Sequence, residues 1–216
     1  MGGALTAEQK ETISRTLSAN EHLIALVRDL LDVSRIEEGK FGYEFARGDL
    51  SKLINNIYEE LKPQATAHQI KFIYKKPELS LPSVVFDAGK LDIAIRNVLD
   101  NAIKYTPSGG CIKINLHSSV SKKYMILSIE DNGIGIPEKD QKFIFVKFFR
   151  ASNAVKYETE GSGLGLYIAK KITEKHNADL FFESKEDRGS EFVFQFPLDE
   201  AQMPKAIVTQ AIKNHG

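Results

Sequence analysis

Asn97, Asn101, Lys104 and Tyr105 follow one another at intervals of four, three and one residues. On a helix this spacing sets an amide pair, an ammonium group and an aromatic ring along one side. Val98, Leu99, Ala102 and Ile103 turn the opposite side toward a core. The polar side is a wet face able to hold a nucleotide.

Two glycine-bearing segments lie further along. In Asp131-Asn132-Gly133-Ile134-Gly135-Ile136-Pro137, placed where a strand ends, an ionised Asp131 is acceptor-only and suits the exocyclic amine of adenine. Gly133 and Gly135 let the backbone approach the ring with no Cβ in the way. A plain glycine turn with a solvated carboxylate fits the same residues. Gly161-Ser162-Gly163-Leu164-Gly165-Leu166 leads directly into an amphipathic stretch, so free N–H groups and the positive end of a helix dipole can meet phosphate oxygens. Tight packing would explain these glycines equally well. The spacing is not the G-x-G-x-x-G of a dinucleotide fold, because the third glycine falls on Leu166 or Ile168. Nor do Gly39-Lys40 or Gly89-Lys90 continue into Ser or Thr as a Walker A loop would. Between the two segments, Phe145-Val146-Lys147-Phe148-Phe149-Arg150 sits in a connection far longer than compact domains normally use. Such a connection reads as a lid: Lys147 and Arg150 reach phosphates on closure and the phenylalanines anchor its stem. A helical turn packed inward is the alternative.

The elements that must position these groups follow from periodicity. Thr6 to about Ile36 reads as one long helix with Ile13, Leu17, Ile24, Val27 and Leu31 as its seam and Asn20 interrupting it. Leu23, Leu26, Leu30 and Val33 widen that stripe beyond a two-stranded seam, which predicts a bundle formed by dimerisation, with a helix folded back on its own globular domain as the alternative. Gly39 ends the helix. Then come a strand over residues 43–47, a helix over 50–68 capped by Asp49 or Ser51, strands over 70–74 and 84–86, and the face-split helix from an Asp87 cap to Tyr105. Pro107-Ser108-Gly109-Gly110 breaks it. Strands over 111–117 and 124–130 precede the long loop at 131–162. A helix over 163–176 and strands over 180–183 and 191–196 close the domain. Strands interleaved with three helices predict an α/β sandwich.

Composition excludes several classes. The chain has 216 residues, 29 basic against 29 acidic, so no net charge draws it to nucleic acid or anionic membrane. One cysteine, Cys111, forms no internal disulfide and lies in a strand pattern as a structural thiol, which fits a reducing cytoplasmic location. No run approaches the roughly 18 apolar residues of a membrane span.

In combination, the motifs resemble the ATP-binding catalytic domain of two-component sensor histidine kinases. Asn97 to Tyr105 resembles that family's N box, Asp131 to Gly135 its first glycine box, Phe145 to Arg150 its F box and Gly161 to Gly165 its second glycine box, over a resemblance running from about Thr6 to Leu198. The resemblance implies an α+β, two-layer Bergerat sandwich, shared with gyrase, Hsp90 and MutL, with a mixed sheet covered by three helices and one long helix before it. It implies ATP and Mg²⁺ as ligands, held between the helical layer and the lid. By the same resemblance Asn101 ligates Mg²⁺, Asp131 takes the adenine amine, and Lys104 and Arg150 take phosphates. Tyr105 takes base or ribose, and Ser190, beside Gly189, takes adenine through water. Asn97, Lys147, Ile136, Leu164 and Leu166 complete the expected lining.

The resemblance further predicts the organisation: residues 1–38 as the second helix of a dimerisation and phosphotransfer hairpin, 39–48 as linker and first strand, 49–198 as the catalytic domain, and 199–216 as an extension whose Ala206, Ile207, Val208, Ala211 and Ile212 give at most a short helix. Superfamily members that hydrolyse ATP place a glutamate four residues before the metal-binding Asn; here that residue is Asn97, and an amide does not take a proton from water. Transfer to another acceptor is therefore expected. None of His22, His68, His117, His176 and His215 carries the acid and downstream Pro of an H box. The acceptor is therefore expected on another hairpin helix, with autophosphorylation absent here. The expected partners are that histidine-bearing helix, a second copy in the full-length protein and a response regulator receiver domain. A nucleotide-sensing interaction module shares these motifs. So does a serine kinase of the type that antagonises sigma factors, although such kinases usually lack the long helix.

Overall fold

The computed structural model describes residues 6–77, 81–159, 161–199 and 201–205, and the chain divides into two compact units between Phe41 and Gly42. The C-terminal positions 206–216, including the apolar residues expected on a short helix, lie outside the described residues.

The first unit is helix α1 (Ala7–Glu37). Its start is a capping box: the Thr6 hydroxyl accepts the Gln9 N–H at 3.2 Å, and the Gln9 side chain accepts the Thr6 N–H at 3.0 Å. At its other end the Lys40 N–H reaches back to the Arg35 carbonyl at 2.8 Å. Ile13, Leu17, Leu23, Ile24, Val27, Leu30 and Leu31 are all exposed along it.

The second unit runs β1 (Ala46–Gly48), α2 (Leu50–Ala67), β2 (Lys71–Lys75), β3 (Val84–Phe86), α3 (Ala88–Tyr105), β4 (Cys111–Ser118), β5 (Tyr124–Asp131), α4 (Glu138–Gln141), α5 (Ser152–Tyr157), α6 (Gly165–Lys175), β6 (Asp179–Lys185) and β7 (Gly189–Pro197). The main sheet has the order β2-β4-β5-β7-β6, with β2 parallel to β4 and the other pairs antiparallel. Helices α2, α3 and α6 pack on it side by side, giving the expected α+β sandwich. Register sets apolar residues opposite one another in rungs beneath the helices. One rung is Leu116, Leu127, Phe194 and Leu180; the next is Ile114, Ile129, Phe192 and Phe182. Leu127, Ile129 and Phe194 are fully buried. Two residues on along the same face, the rung becomes Ile112, Asp131, Ser190 and Ser184, so the strand period carries the core pattern straight into a polar row at the end of the sheet.

Three local expectations are corrected. The first strand starts at Ala46 rather than Tyr43. The Tyr43 and Phe45 rings stand edge-on to His176, at 6.0 and 5.1 Å, and the Glu44 N–H donates to the Asp87 carboxylate at 2.7 Å instead of joining a ladder. The long loop is not structureless, since it holds α4 and α5. Cys111 is half-exposed rather than buried. After β7 the Asn177 side chain donates to the Gln202 carbonyl at 3.1 Å and Met203 is buried.

Candidate functional site

Helix α3 carries the first group. Asp87 caps it by accepting the Lys90 N–H at 2.9 Å, and Val98, Leu99, Ala102 and Ile103 are buried. With that side fixed against the core, Asn97, Asn101, Lys104 and Tyr105 lie half-buried on the other. Asn97 donates to the Ile93 carbonyl at 3.0 Å, which turns its oxygen toward the start of α6. A Cβ on Gly165 would sit 2.6 Å from that oxygen, so glycine there is the space Asn97 occupies. Lys104 lies 6.0 Å from the centre of the Tyr105 ring, and Tyr105 meets Tyr157 of α5 at 6.4 Å.

The end of β5 carries the second group. Asp131 Oδ1 accepts the Gly133 N–H at 2.8 Å and the Ser190 N–H at 3.3 Å. Oδ2 has no hydrogen bond to the described residues. Burial pushes the Asp131 carboxyl up to about 6, against the pull of the two N–H donors. Gly133 lies under the end of α3, where a Cβ would stand 2.4 Å from the Tyr105 carbonyl oxygen. Gly135 faces the β6–β7 hairpin, 2.0 Å from the Lys185 carbonyl by the same construction. The Ile136 N–H donates to the Ser184 hydroxyl at 2.9 Å, and that hydroxyl lies 2.9 Å from the Ser190 hydroxyl.

The lid is the third group. Asp140 accepts both the N–H and the hydroxyl of Ser152 at 2.7 Å, which holds its carboxyl below the usual range and caps the start of α5. The Asn153 side chain donates to the Gly135 carbonyl at 2.9 Å, and Gln141 donates to the carbonyls of Ile136 and Ser184. Phe145 packs edge-on against Phe182, 5.8 Å away, as a stem anchor, but Phe148 is exposed. Lys147 stands 5.7 Å from the Tyr167 ring. The Arg150 guanidinium is turned onto the lid's own backbone, donating to the carbonyls of Thr159 at 2.8 Å, Glu158, and Ala154 at 3.5 Å, and its Nε is buried with no partner among the described residues.

In the second glycine segment, Gly163 has φ +68° and a Cβ there would strike the Phe148–Phe149 backbone. The Leu164 N–H donates to the Ser162 hydroxyl at 3.2 Å. Helix α6 then opens on Gly165 and Leu166 with no side-chain cap, beside Asn97. The segment thus has a packing role and also leaves a helix N-terminus open to an anion.

The structure therefore brings the α3 face, the end of β5, Ser190 and the start of α6 together around one end of the sheet, and turns Arg150 away onto the lid. Sequence reasoning missed Ser184, Gln141, Asn153 and Asp140. Their partners are mostly backbone groups far away in the chain, which no local spacing encodes. Among the described residues no cluster of three or more His, Cys, Asp or Glu side chains could hold a metal. A single neutral amide such as Asn101 fits only a hard cation that keeps most of its shell as water and phosphate oxygen.

A family model described as histidine kinase-, DNA gyrase B- and HSP90-like ATPase matches residues 86–200. The chain is 30% identical over 187 residues to the sensor histidine kinase WalK of Bacillus subtilis (strain 168), covering 87% of this chain and 30% of WalK. Among solved structures, full-length ShkA in complex with AMPPNP superposes with a TM-score of 0.73 at 25% identity, covering 90% of this chain and 40% of that one. The catalytic domain of histidine kinase ThkA superposes at 0.61 with 28% identity, covering 71% and 97%. The chain spans less than half the length of the curated relatives it matches, from 24% to 45% in the first three.

Proposed function

The chain belongs to the histidine kinase-, DNA gyrase B- and HSP90-like ATPase family, as a histidine kinase ATPase domain of the two-component sensor kinases, and from that premise we propose that it binds ATP with Mg²⁺ and hands the γ-phosphoryl group to a histidine outside its own 216 residues. The observation that carries this reading is Asp131, a half-buried carboxylate with one oxygen fixed by two backbone donors and the other without a hydrogen bond to the described residues. In this reading Oδ2 accepts an N–H of the adenine amine. Gly133 and Gly135 with Ile136 form the wall beneath the base, Tyr105 covers base or ribose, and the Ser190 hydroxyl meets adenine through water.

Asn101 would be the protein's ligand to Mg²⁺, with Asn97 beside it. When bound, the ion screens charge on the transferring phosphoryl group. Lys104, Lys147 and Arg150 supply positive charge to the phosphates. The segment Gly161, Ser162, Gly163, Leu164, Gly165 and Leu166 turns the N-terminus of α6 toward them. Asn97 offers an amide where a general base for water would stand, which favours transfer over hydrolysis. A phosphohistidine formed this way would donate to a response regulator receiver domain. The exposed apolar positions of α1 fit pairing with a second copy in the full-length protein, with residues 1–38 supplying hairpin helix and 49–198 catalysis.

Titration calorimetry with ATP, with and without Mg²⁺, tests the reading. Metal-assisted binding should fall about 100-fold in Asp131→Asn, the scale of a hydrogen bond to a buried charge. Unchanged affinity in that variant would refute the site. With radiolabelled ATP the chain alone should remain unlabelled, and addition of a hairpin bearing the acceptor histidine should restore labelling; stoichiometric label on the chain alone would overturn the assignment of the acceptor.

A further inference from the structure

Ser184 lies outside the predicted site, yet its hydroxyl is the centre of the polar rung. It accepts the Ile136 N–H at 2.9 Å, lies 3.0 Å from the Gly189 carbonyl and 2.9 Å from the Ser190 hydroxyl. A hydroxyl has one proton to give. The Ile136 N–H only donates and the Gly189 carbonyl only accepts, while either serine could be the donor of the contact between them; with the Ser184 proton on Gly189, the arrangement the inference adopts, that contact is made with the Ser190 proton. Position is fixed as well. Ser184 pairs opposite Ser190, which pairs opposite Asp131, and the Ser184 carbonyl is held by the Gln141 side chain at 2.9 Å.

We infer that Ser184 is a specificity-determining positioning residue, which draws the Ser190 proton away from the base so that the rung presents only acceptors to the 6-position of a purine. The inference rests on the reading of Asp131 as the adenine contact. With the Ser190 proton committed, the groups facing the ligand are Asp131 Oδ2 and the Ser190 lone pairs. A 6-amino purine offers donors to such a row, directly or through water. A 6-oxo purine sets a carbonyl oxygen against acceptors, and an unpaired polar contact of that kind is how sites reject close analogues. Without the Ser184 hydroxyl, the Ser190 proton is free to turn toward the site and donate to a 6-oxo group.

The test is the ratio of ATP to inosine triphosphate affinities, measured by titration for wild type, Ser184→Ala, Ser184→Thr, Ser190→Ala and the Ser184→Ala/Ser190→Ala double variant. The expected result is a ratio that falls about tenfold in Ser184→Ala through tighter inosine nucleotide binding. It is expected to be kept in Ser184→Thr, which retains the hydroxyl, and to be the same in Ser190→Ala and the double variant. Equal weakening of both nucleotides in Ser184→Ala would mean a mere strut and overturn the inference. So would a double variant as relaxed as Ser184→Ala alone, because the effect would then bypass Ser190. A wild type with no preference for ATP would remove the adenine reading itself, separately from Ser184.

Discussion

The two ends of the site are built on different principles. At the base end, Asp131, Ser190 and Ser184 share one rung of a sheet whose neighbouring rungs are core, and each is tied by hydrogen bonds to strands or to Gly133. At the proposed phosphate end, Arg150 gives its donors to the lid's own carbonyls while its Nε has no partner among the described residues. In the proposed reading the base contacts are already formed, whereas Arg150 would have to exchange partners to reach a phosphate. Selectivity would then belong to the sheet end and triphosphate sensing to the lid end, because a ligand shifts only elements that have two arrangements to choose between.

Glycine substitutions should give the largest separation between the ends. Gly189 has φ +102° and a Cβ there would lie 2.0 Å from the Asp131 carbonyl oxygen, inside the β5–β7 pairing. Gly189→Ala should cost more than about 3 kcal/mol, since backbone strain adds to a clash that neither strand can relieve. At Gly161 the nearest atoms to an added Cβ are those of the Arg150 guanidinium at 3.4 Å, the far end of a flexible side chain. Gly161→Ala should cost only about 1 kcal/mol, mainly strain. Urea denaturation of both variants checks this, and equal losses would break the contrast.

Asp131 should show the next effect, through pH. Burial raises its folded pKa to about 6, above the ordinary value of 3.8. The folded state therefore holds the proton more tightly than the unfolded chain. The stability so gained is fully present below the unfolded value and is lost as pH rises through about 6. Relative to Asp131→Asn, whose amide oxygen still accepts the Gly133 and Ser190 N–H groups, wild type should be roughly 2–3 kcal/mol less favoured at pH 7.5 than at pH 4. Melting curves of both proteins across that range give the comparison. A gap that stays constant would mean the carboxyl is not held in a desolvated site.

The two ends also differ in how far the sequence announces them. The α3 face is legible, because Asn97, Asn101, Lys104 and Tyr105 obey a helical period and the buried Val98, Leu99, Ala102 and Ile103 obey its complement. Asp131 is legible as a carboxylate at a strand end. Ser184 is not, since its meaning comes from pairing with Ser190 across a hairpin and with Ile136, 48 residues away. Tyr43 and Phe45 read as strand because alternating aromatics favour one, but their rings pack on His176, 133 and 131 residues later in the chain (176 − 43 and 176 − 45). In the lid, the length of the connection is visible while its order is not. Asp140 capping Ser152 and Asn153 gripping the Gly135 carbonyl are tertiary bonds between polar residues that any loop contains.

Arg150→Ala should act more weakly than Asp131→Asn. If the guanidinium reaches a phosphate in the bound state, ATP affinity falls about tenfold, the scale of one charge-assisted contact. The carbonyls of Glu158 and Thr159 also lose the guanidinium as a donor, and that of Ala154 keeps only the Glu158 N–H, so amide exchange around α5 should quicken in the free protein. Faster exchange with unchanged ATP affinity would make Arg150 a lid strut only and remove the partner exchange from the contrast between the ends.

The smallest effect is expected from the residue that ties α3 to α6. His176 is buried at the C-terminus of α6, with Nε2 accepting the Asp87 N–H at 3.0 Å and Nδ1 donating to the Ile172 carbonyl at 2.8 Å. Asp87 caps α3, so this neutral ring ties the start of α3 to the end of α6, the two helices that carry Asn97 and Gly165. Burial lowers its pKa, against the pull of those two backbone bonds and the Asp87 charge. A proton on Nε2 would set donor against donor at Asp87. The sign is therefore opposite to that of Asp131: stability is full above the unfolded value near 6.5 and is lost as pH falls through the lowered folded value. In wild type the two trends oppose each other. Asp131→Asn removes one of them, so its stability should decline from pH 7 to 5, and adding His176→Phe should flatten that decline while lowering stability throughout. The ratio of ATP to inosine triphosphate affinity should not move with His176→Phe, because the rung proposed to read the base lies on the sheet rather than on either helix; a change in that ratio would mean that the helices, too, help set the base end.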